Sequence, residues 1–146
     1  MDATDHRILN ILRANGRASY ASIGAEVGLS PHGAADRIRR LERAGVVTGY
    51  TATIDLGRVG RDLDAFVDVR LMPTTDPDRF EHEVAKLPAV RELAFLTGRF
   101  DYQLRVACTG PDDLDQTVRT IRRDAGAAQT ETRIAMRTAT FERAIG

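Results

Sequence analysis

Apolar residues spaced three and four apart dominate the start of the chain. Ile8, Leu9, Ile11 and Leu12 form one helical face, and Asn15-Gly16 closes it, which predicts a first helix over residues 4–14. A second helix opens at Ser19, whose hydroxyl can cap free N–H groups, and runs through Ile23 and Val27 to Gly28. The third begins at Ser30-Pro31, a cap followed by proline at the first helical position, and continues through Ala34, Ala35, Ile38 and Leu41 to Gly45. Beyond Val46 the period changes to two: Val47, Gly49 and Thr51 alternate with Thr48, Tyr50 and Ala52. This predicts a strand-like connection ending near residues 55–57, with a hinge at residues 57–60.

Residues 63–137 alternate strand and helix signals in the order β, α, β, β, α, β. Ala65, Val67, Val69 and Leu71 mark the first strand, and Phe80, Val84 and Leu87 the helix face after Asp76-Pro77. Leu93 and Phe95 lie in the second strand; Tyr102, Leu104, Val106 and Cys108 alternate in the third, with residues 98–101 turning between them. Leu114, Val118 and Ile121 mark a helix begun by Gly110-Pro111-Asp112, and Ile134 and Met136 finish the last strand. Two split βαβ units in series are the ferredoxin-like order. The predicted fold is α+β: a three-helix helix-turn-helix domain of winged-helix-like type (residues 1–50), a linker strand and hinge (51–62), a ferredoxin-like βαββαβ domain (63–137) and a C-terminal tail (138–146).

Composition narrows the functional classes. Across 146 residues, 42% are hydrophobic and 29% charged, an ordinary globular mix. No apolar run approaches bilayer length and the first five residues lack an export signal's basic start, so a cytoplasmic protein without membrane contact is expected. The single Cys108 can form no internal disulfide, and His6, His32 and His82 show no ligand spacing, so neither metal nor cofactor is expected. Cys108 is apolar by alternation, and Asp112-Asp113 reads as helix N-terminal charge; no residue is assigned a catalytic role. Small domains bury proportionally less surface, which favours assembly into oligomers.

The net charge of zero hides an asymmetry: residues 1–50 hold seven Arg against five acids, and the remainder fourteen basic against sixteen acidic residues. Arg37, Arg39, Arg40 and Arg43 crowd the third helix. In a helix-turn-helix the second helix of the pair enters the major groove, so the turn must be tight and the entering helix must expose donors near its start. Gly24 and Gly28 supply the close approach and the turn. The residues expected on or near DNA are Ser30, Pro31, His32, Gly33 and Asp36, with Arg37, Arg39 and Arg40 reaching phosphates or guanine edges. The competing reading is a solvated face whose arginines pair with Asp36 and Glu42. The turn and cap signals upstream favour DNA.

The run from Glu26 to Pro31, followed by Asp36 to Tyr50, resembles the DNA-binding signature of the Lrp/AsnC (feast/famine) transcription regulators. Asp5, Ile8 and Leu9 match that family's opening, and the resemblance extends along essentially the whole chain. It implies binding to double-stranded DNA, dimers formed through the C-terminal sheet, and higher rings, typically octamers. It also implies an effector pocket between neighbouring C-terminal domains, taking an amino acid or related small molecule. Thr97-Gly98-Arg99-Phe100-Asp101-Tyr102 matches the family loop between second and third strands. The effector set expected is therefore Gly98, Arg99, Asp101 and Tyr102, with Thr130 and Thr132 on the last strand. A turn with free N–H groups suits a carboxylate and Asp101 suits an ammonium; the competing reading makes Gly98 and Asp101 hairpin residues and Tyr102 core. Gly33 departs from a strong recognition helix, since glycine weakens a helix by roughly 1 kcal/mol against alanine.

Two other functions fit parts of this pattern. A tetrapyrrole-processing enzyme can share a similar two-domain arrangement, but scattered histidines and an Arg-rich third helix argue for a non-enzyme. A broad DNA-organising protein would wrap DNA on a ring, against which zero net charge leans.

Overall fold

Helix α1 (Ala3–Ala14) starts on a reciprocal cap in the computed structural model, which describes residues 1–146: the Asp2 carboxylate accepts from the Asp5 N–H, and Asp5 accepts from the Asp2 N–H. Helix α2 (Tyr20–Val27) is capped by Ser19, whose Oγ accepts from the Ser22 N–H at 3.1 Å, and ends at Gly28 in the left-handed region at φ 76°. Helix α3 (Pro31–Arg43) is capped by Ser30 onto the Gly33 N–H at 3.0 Å. Ile8, Leu9, Ile23, Val27, Ala34, Ile38 and Leu41 form the core that holds the three helices together. Gly24 sits where α2 meets the turn into α3: a Cβ there would lie 2.6 Å from the Leu29 carbonyl oxygen, so only glycine permits the approach.

The chain divides into two compact units, Met1–Thr53 together with Thr140–Gly146, and Ile54–Ala139. The last seven residues thus join the helical unit. The Asn10 side-chain amide donates to the Ile145 carbonyl at 3.3 Å and accepts from the Ile145 N–H at 2.8 Å, and Ile145 packs on the helical core.

The period-two stretch over residues 47–55 forms no ladder with any strand of the chain. The three-helix unit offers its alternation no sheet edge to pair with, and Tyr50 and Ile54 stay exposed. A 3-10 turn at Gly57–Val59 follows.

The second unit holds β1 (Leu63–Leu71), α4 (Pro77–Ala85), β2 (Val90–Phe95), β3 (Tyr102–Cys108), α5 (Pro111–Asp124) and β4 (Ala127–Ile134). The sheet order is β2-β3-β1-β4 with all neighbours antiparallel, the ferredoxin-like arrangement. Alternation sends Ala65, Val67 and Val69 of β1, and Tyr102, Leu104, Val106 and Cys108 of β3, into a core completed by Phe80, Val84, Leu114 and Ile121 of the helices. The other sheet face carries ion pairs: Arg105 grips Asp64 through two bonds of 3.2 and 3.0 Å, and Asp68 accepts from Gln103 at 2.9 Å and Arg133 at 2.7 Å.

Candidate DNA-binding surface and small-molecule cavity

The buried residues of α3, Ala34, Ala35, Ile38 and Leu41, set which side of the helix is outward. His32, Asp36, Arg39, Arg40 and Arg43 are exposed there, while Gly33 and Arg37 are partly covered. Ser30 and Pro31 are exposed at the helix start, where free N–H groups favour a phosphate. Asp36 lies 3.3 Å from both the His32 Nε2 and an Arg39 nitrogen, so it aligns both side chains along the outward face. The Arg39 guanidinium also lies 6.0 Å from the Tyr20 ring centroid, on the flank facing α2.

The other flank faces the start of α1. Arg37 donates to Asp2 at 2.6 Å and to Asp5 at 2.9 Å, and Arg40 donates to both Asp5 oxygens at 3.1 and 3.2 Å. The Arg37 guanidinium holds the Asp2 carboxyl at about 2. Burial opposes ionisation of Asp5, but the Asp2 N–H and Arg37 outweigh it and keep its carboxyl below the ordinary value. The four arginines alike in the sequence are therefore in different states. Arg37 is tied inward, Arg40 is anchored at one nitrogen, Arg39 leans on α2, and Arg43 has no carboxylate partner within the chain. The sequence reading assigns three of these, Arg37, Arg39 and Arg40, to DNA; Arg43, four residues after Arg39, is exposed on the same helix.

In the second unit the loop joining β2 to β3 closes over the end of β1. The Asp101 Oδ2 accepts from the Leu71 N–H at 2.7 Å, its own N–H donates to the Val69 carbonyl at 2.9 Å, and Arg70 donates twice to the Arg99 carbonyl. Gly98, at φ 105°, takes a conformation that side chains rarely adopt. Beside this loop is a cavity of about 450 Å³ lined by Arg70, Leu71, Met72, Pro73, Pro77 and Phe95 together with Gly98, Arg99 and Asp101. Met72, Pro73, Pro77 and Phe95 supply apolar lining; Arg70, Arg99 and Asp101 supply charge of both signs.

The structure brings Gly98, Arg99 and Asp101 together on this cavity but places the other three expected residues elsewhere. Tyr102 is fully buried between the Phe80 and Phe95 rings, at centroid distances of 4.7 and 4.9 Å, and donates to Glu81 at 2.7 Å. Burial, and then the Glu81 carboxylate, push its phenol well above the ordinary value. Thr130 and Thr132 stand on the edge strand β4, with β1 between them and β3, and the Thr130 Oγ1 accepts from Arg122 at 2.7 Å. Met72 and Pro73 have no signal in the sequence, and Phe95 reads there only as a strand residue; no local pattern links the β1 end to a loop some 25 residues on.

Comparison with known proteins shows the family in which these two units occur. The AsnC-type helix-turn-helix domain matches residues 1–42, and the Lrp/AsnC ligand binding domain matches residues 64–145. The chain belongs to the Lrp/AsnC family. Among its relatives is a proline dehydrogenase transcriptional activator of Rhodobacter capsulatus, 40% identical over 108 residues, 73% of this chain and 70% of that protein. A transcriptional regulator of Neisseria meningitidis solved with L-methionine superposes with a TM-score of 0.93 at 28% identity, over 100% of this chain and 96% of that one. A feast or famine regulatory protein of M. tuberculosis complexed with L-methionine superposes at 0.90 with 30% identity, over 97% and 96%. As an Lrp/AsnC transcription regulator, the chain carries its DNA-binding helix-turn-helix in the first unit and the family's ligand-binding fold in the second. No helix is long and apolar enough to cross a membrane.

Proposed function

We propose that this Lrp/AsnC regulator binds operator DNA through α3 and is modulated by an amino acid with an apolar side chain, held at the β2–β3 loop between C-terminal domains of neighbouring subunits. The DNA-contacting set is Ser30, Pro31, His32, Gly33, Asp36, Arg39 and Arg40, with Arg37 bracing the helix and Arg43 added to the phosphate contacts. The effector set is Gly98, Arg99 and Asp101, with Met72 and Phe95 taking the side chain. Tyr102, Thr130 and Thr132 lie off this cavity in a single subunit.

The cavity beside the Gly98 to Asp101 loop carries this reading: it offers apolar lining and charges of both signs, the chemistry of a zwitterion with a hydrophobic tail. Both relatives solved with L-methionine share the fold at high superposition. A face of the sheet left uncovered by helices, and the exposed Ile134 and Met136, support homodimers that assemble further, with octamers as the expected ring. We place the protein in the cytoplasm and read it as a regulator rather than an enzyme, which the regulatory relatives support; burial pushes the Cys108 thiol up, which makes that one group a poor nucleophile.

Titrating the purified protein against its own upstream DNA in a mobility shift, across salt and with a panel of amino acids, tests both halves. Salt-dependent specific shifts that one apolar amino acid alters are expected. Shifts indifferent to every amino acid overturn the effector assignment, and the absence of any specific shift overturns the assignment of α3.

A further inference from the structure

Two arginines one turn apart on α3 share a single buried carboxylate on another helix. The Asp5 side chain is 3% exposed and accepts four bonds: from the Asp2 N–H at 3.0 Å, from Arg37 at 2.9 Å, and from one Arg40 nitrogen at 3.1 and 3.2 Å. The Arg40 side chain, by contrast, is 59% exposed. Only its Nη2 is engaged, so its Nη1 and Nε donors make no bond within the chain. Arg37 differs: its side chain is 28% exposed and its Nη1 is bonded to both Asp2 and Asp5.

We propose that Asp5 is a positioning residue for DNA binding, acting through Arg40. An arginine side chain left free samples many rotamers and must be ordered when it meets a phosphate or base edge. Anchoring one guanidinium nitrogen on a buried carboxylate does that ordering in advance and leaves the remaining donors of the planar fork unbonded for DNA. Asp2, by tying Arg37 to the same corner, keeps that second cation from competing for Asp5 in a different geometry. Asp5 touches no DNA itself, and the inference rests on the assignment of the α3 outer face to DNA.

Charge alone predicts the opposite sign for the decisive variant. Asp5→Asn removes a negative charge from beside the DNA-binding face, which by charge alone strengthens attraction to phosphates. Positioning predicts that Asp5→Asn weakens binding to the upstream DNA by about fivefold. Arg40→Ala is expected to weaken it by about tenfold and to lower the slope of log affinity against log salt by about one contact. In the Arg40→Ala background, Asp5→Asn costs no further affinity. Additive losses in the double variant, or tighter binding by Asp5→Asn, overturn the proposal. An Arg40→Ala protein that binds like the parent fails the α3 assignment instead. Should Asp5→Asn not fold, as judged by its helical circular dichroism, the parent protein decides by nuclear magnetic resonance. Separate Arg40 Nη signals, from hindered rotation about Cζ–Nε, are expected in the free protein, and averaged signals overturn the proposal.

Discussion

At the residue scale, the behaviour of the helical unit is governed by a few side chains whose roles are distinguishable only by their partners. Asp2 and Asp5 both have carboxyls held below their ordinary value, Asp2 at about 2. A depressed folded-state value stabilises the fold above the unfolded value and is lost as pH falls through the folded one. Helical circular dichroism should therefore stay flat down to about pH 4 and fall as pH drops from there towards 2. Asp2→Asn should move that acid transition upward in pH, and an unmoved transition contradicts the Asp2–Arg37 bond. Gly24 is a second test at this scale. Gly24→Ala forces a methyl against the Leu29 carbonyl at 2.6 Å, a backbone atom that cannot swing away, and should cost about 2 kcal/mol in thermal unfolding of this unit. Both roles have local signals: the Asp at positions 2 and 5 before an apolar run, and glycine inside a short helix. The partners have none. Nothing near Asp5 in sequence announces Arg37 or Arg40, more than 30 residues away.

At the element scale, the helix starts were legible because capping is chemistry between neighbours. Ser19 and Ser30 each bond an N–H three residues on, and Gly28 closes α2 in the left-handed region. β1 and β3 were legible from alternation because one sheet face is buried by α4 and α5. β4, by contrast, stops at Ile134, short of Met136, because its outer residues at the sheet edge are exposed and carry no alternating burial. The same alternation over residues 47–55 produced no ladder, since pairing needs an edge that periodicity cannot supply. The β2–β3 loop shows the same divide. Its glycine and aspartate mark a turn, but the end of β1 that completes the cavity arrives from distant sequence. Tyr102, polar by type, is core by its place in the alternation between Phe80 and Phe95. Phe95 is 66% exposed and lines the cavity. Phe95→Ala should weaken amino-acid binding at least tenfold by calorimetry while leaving the unit folded. Thr132→Ala, across the sheet, should change binding little, and a large loss there would move the site to β4.

At the scale of the whole molecule, the chain leaves its first unit at Thr53 and returns to it at Thr140. The tail set apart by the sequence pattern is thus part of the helical unit, tied by the paired Asn10–Ile145 bonds and by Ile145 in the core. No periodic signal marks such a short segment, and its apolar anchor is a single residue. Asn10→Ala leaves the Ile145 N–H without its partner and should lower the stability of the helical unit by about 1 kcal/mol, with the ferredoxin-like unit unchanged by hydrogen exchange. Equal loss in both units would contradict the division of the chain. The central claim is that one protein joins a DNA-reading helix to an amino-acid cavity. It is tested most directly by the mobility shift on upstream DNA with and without an apolar amino acid, run on the parent and on Phe95→Ala. The account predicts a ligand-altered shift for the parent and an unaltered, still specific shift for Phe95→Ala; the same ligand response in both proteins would contradict it.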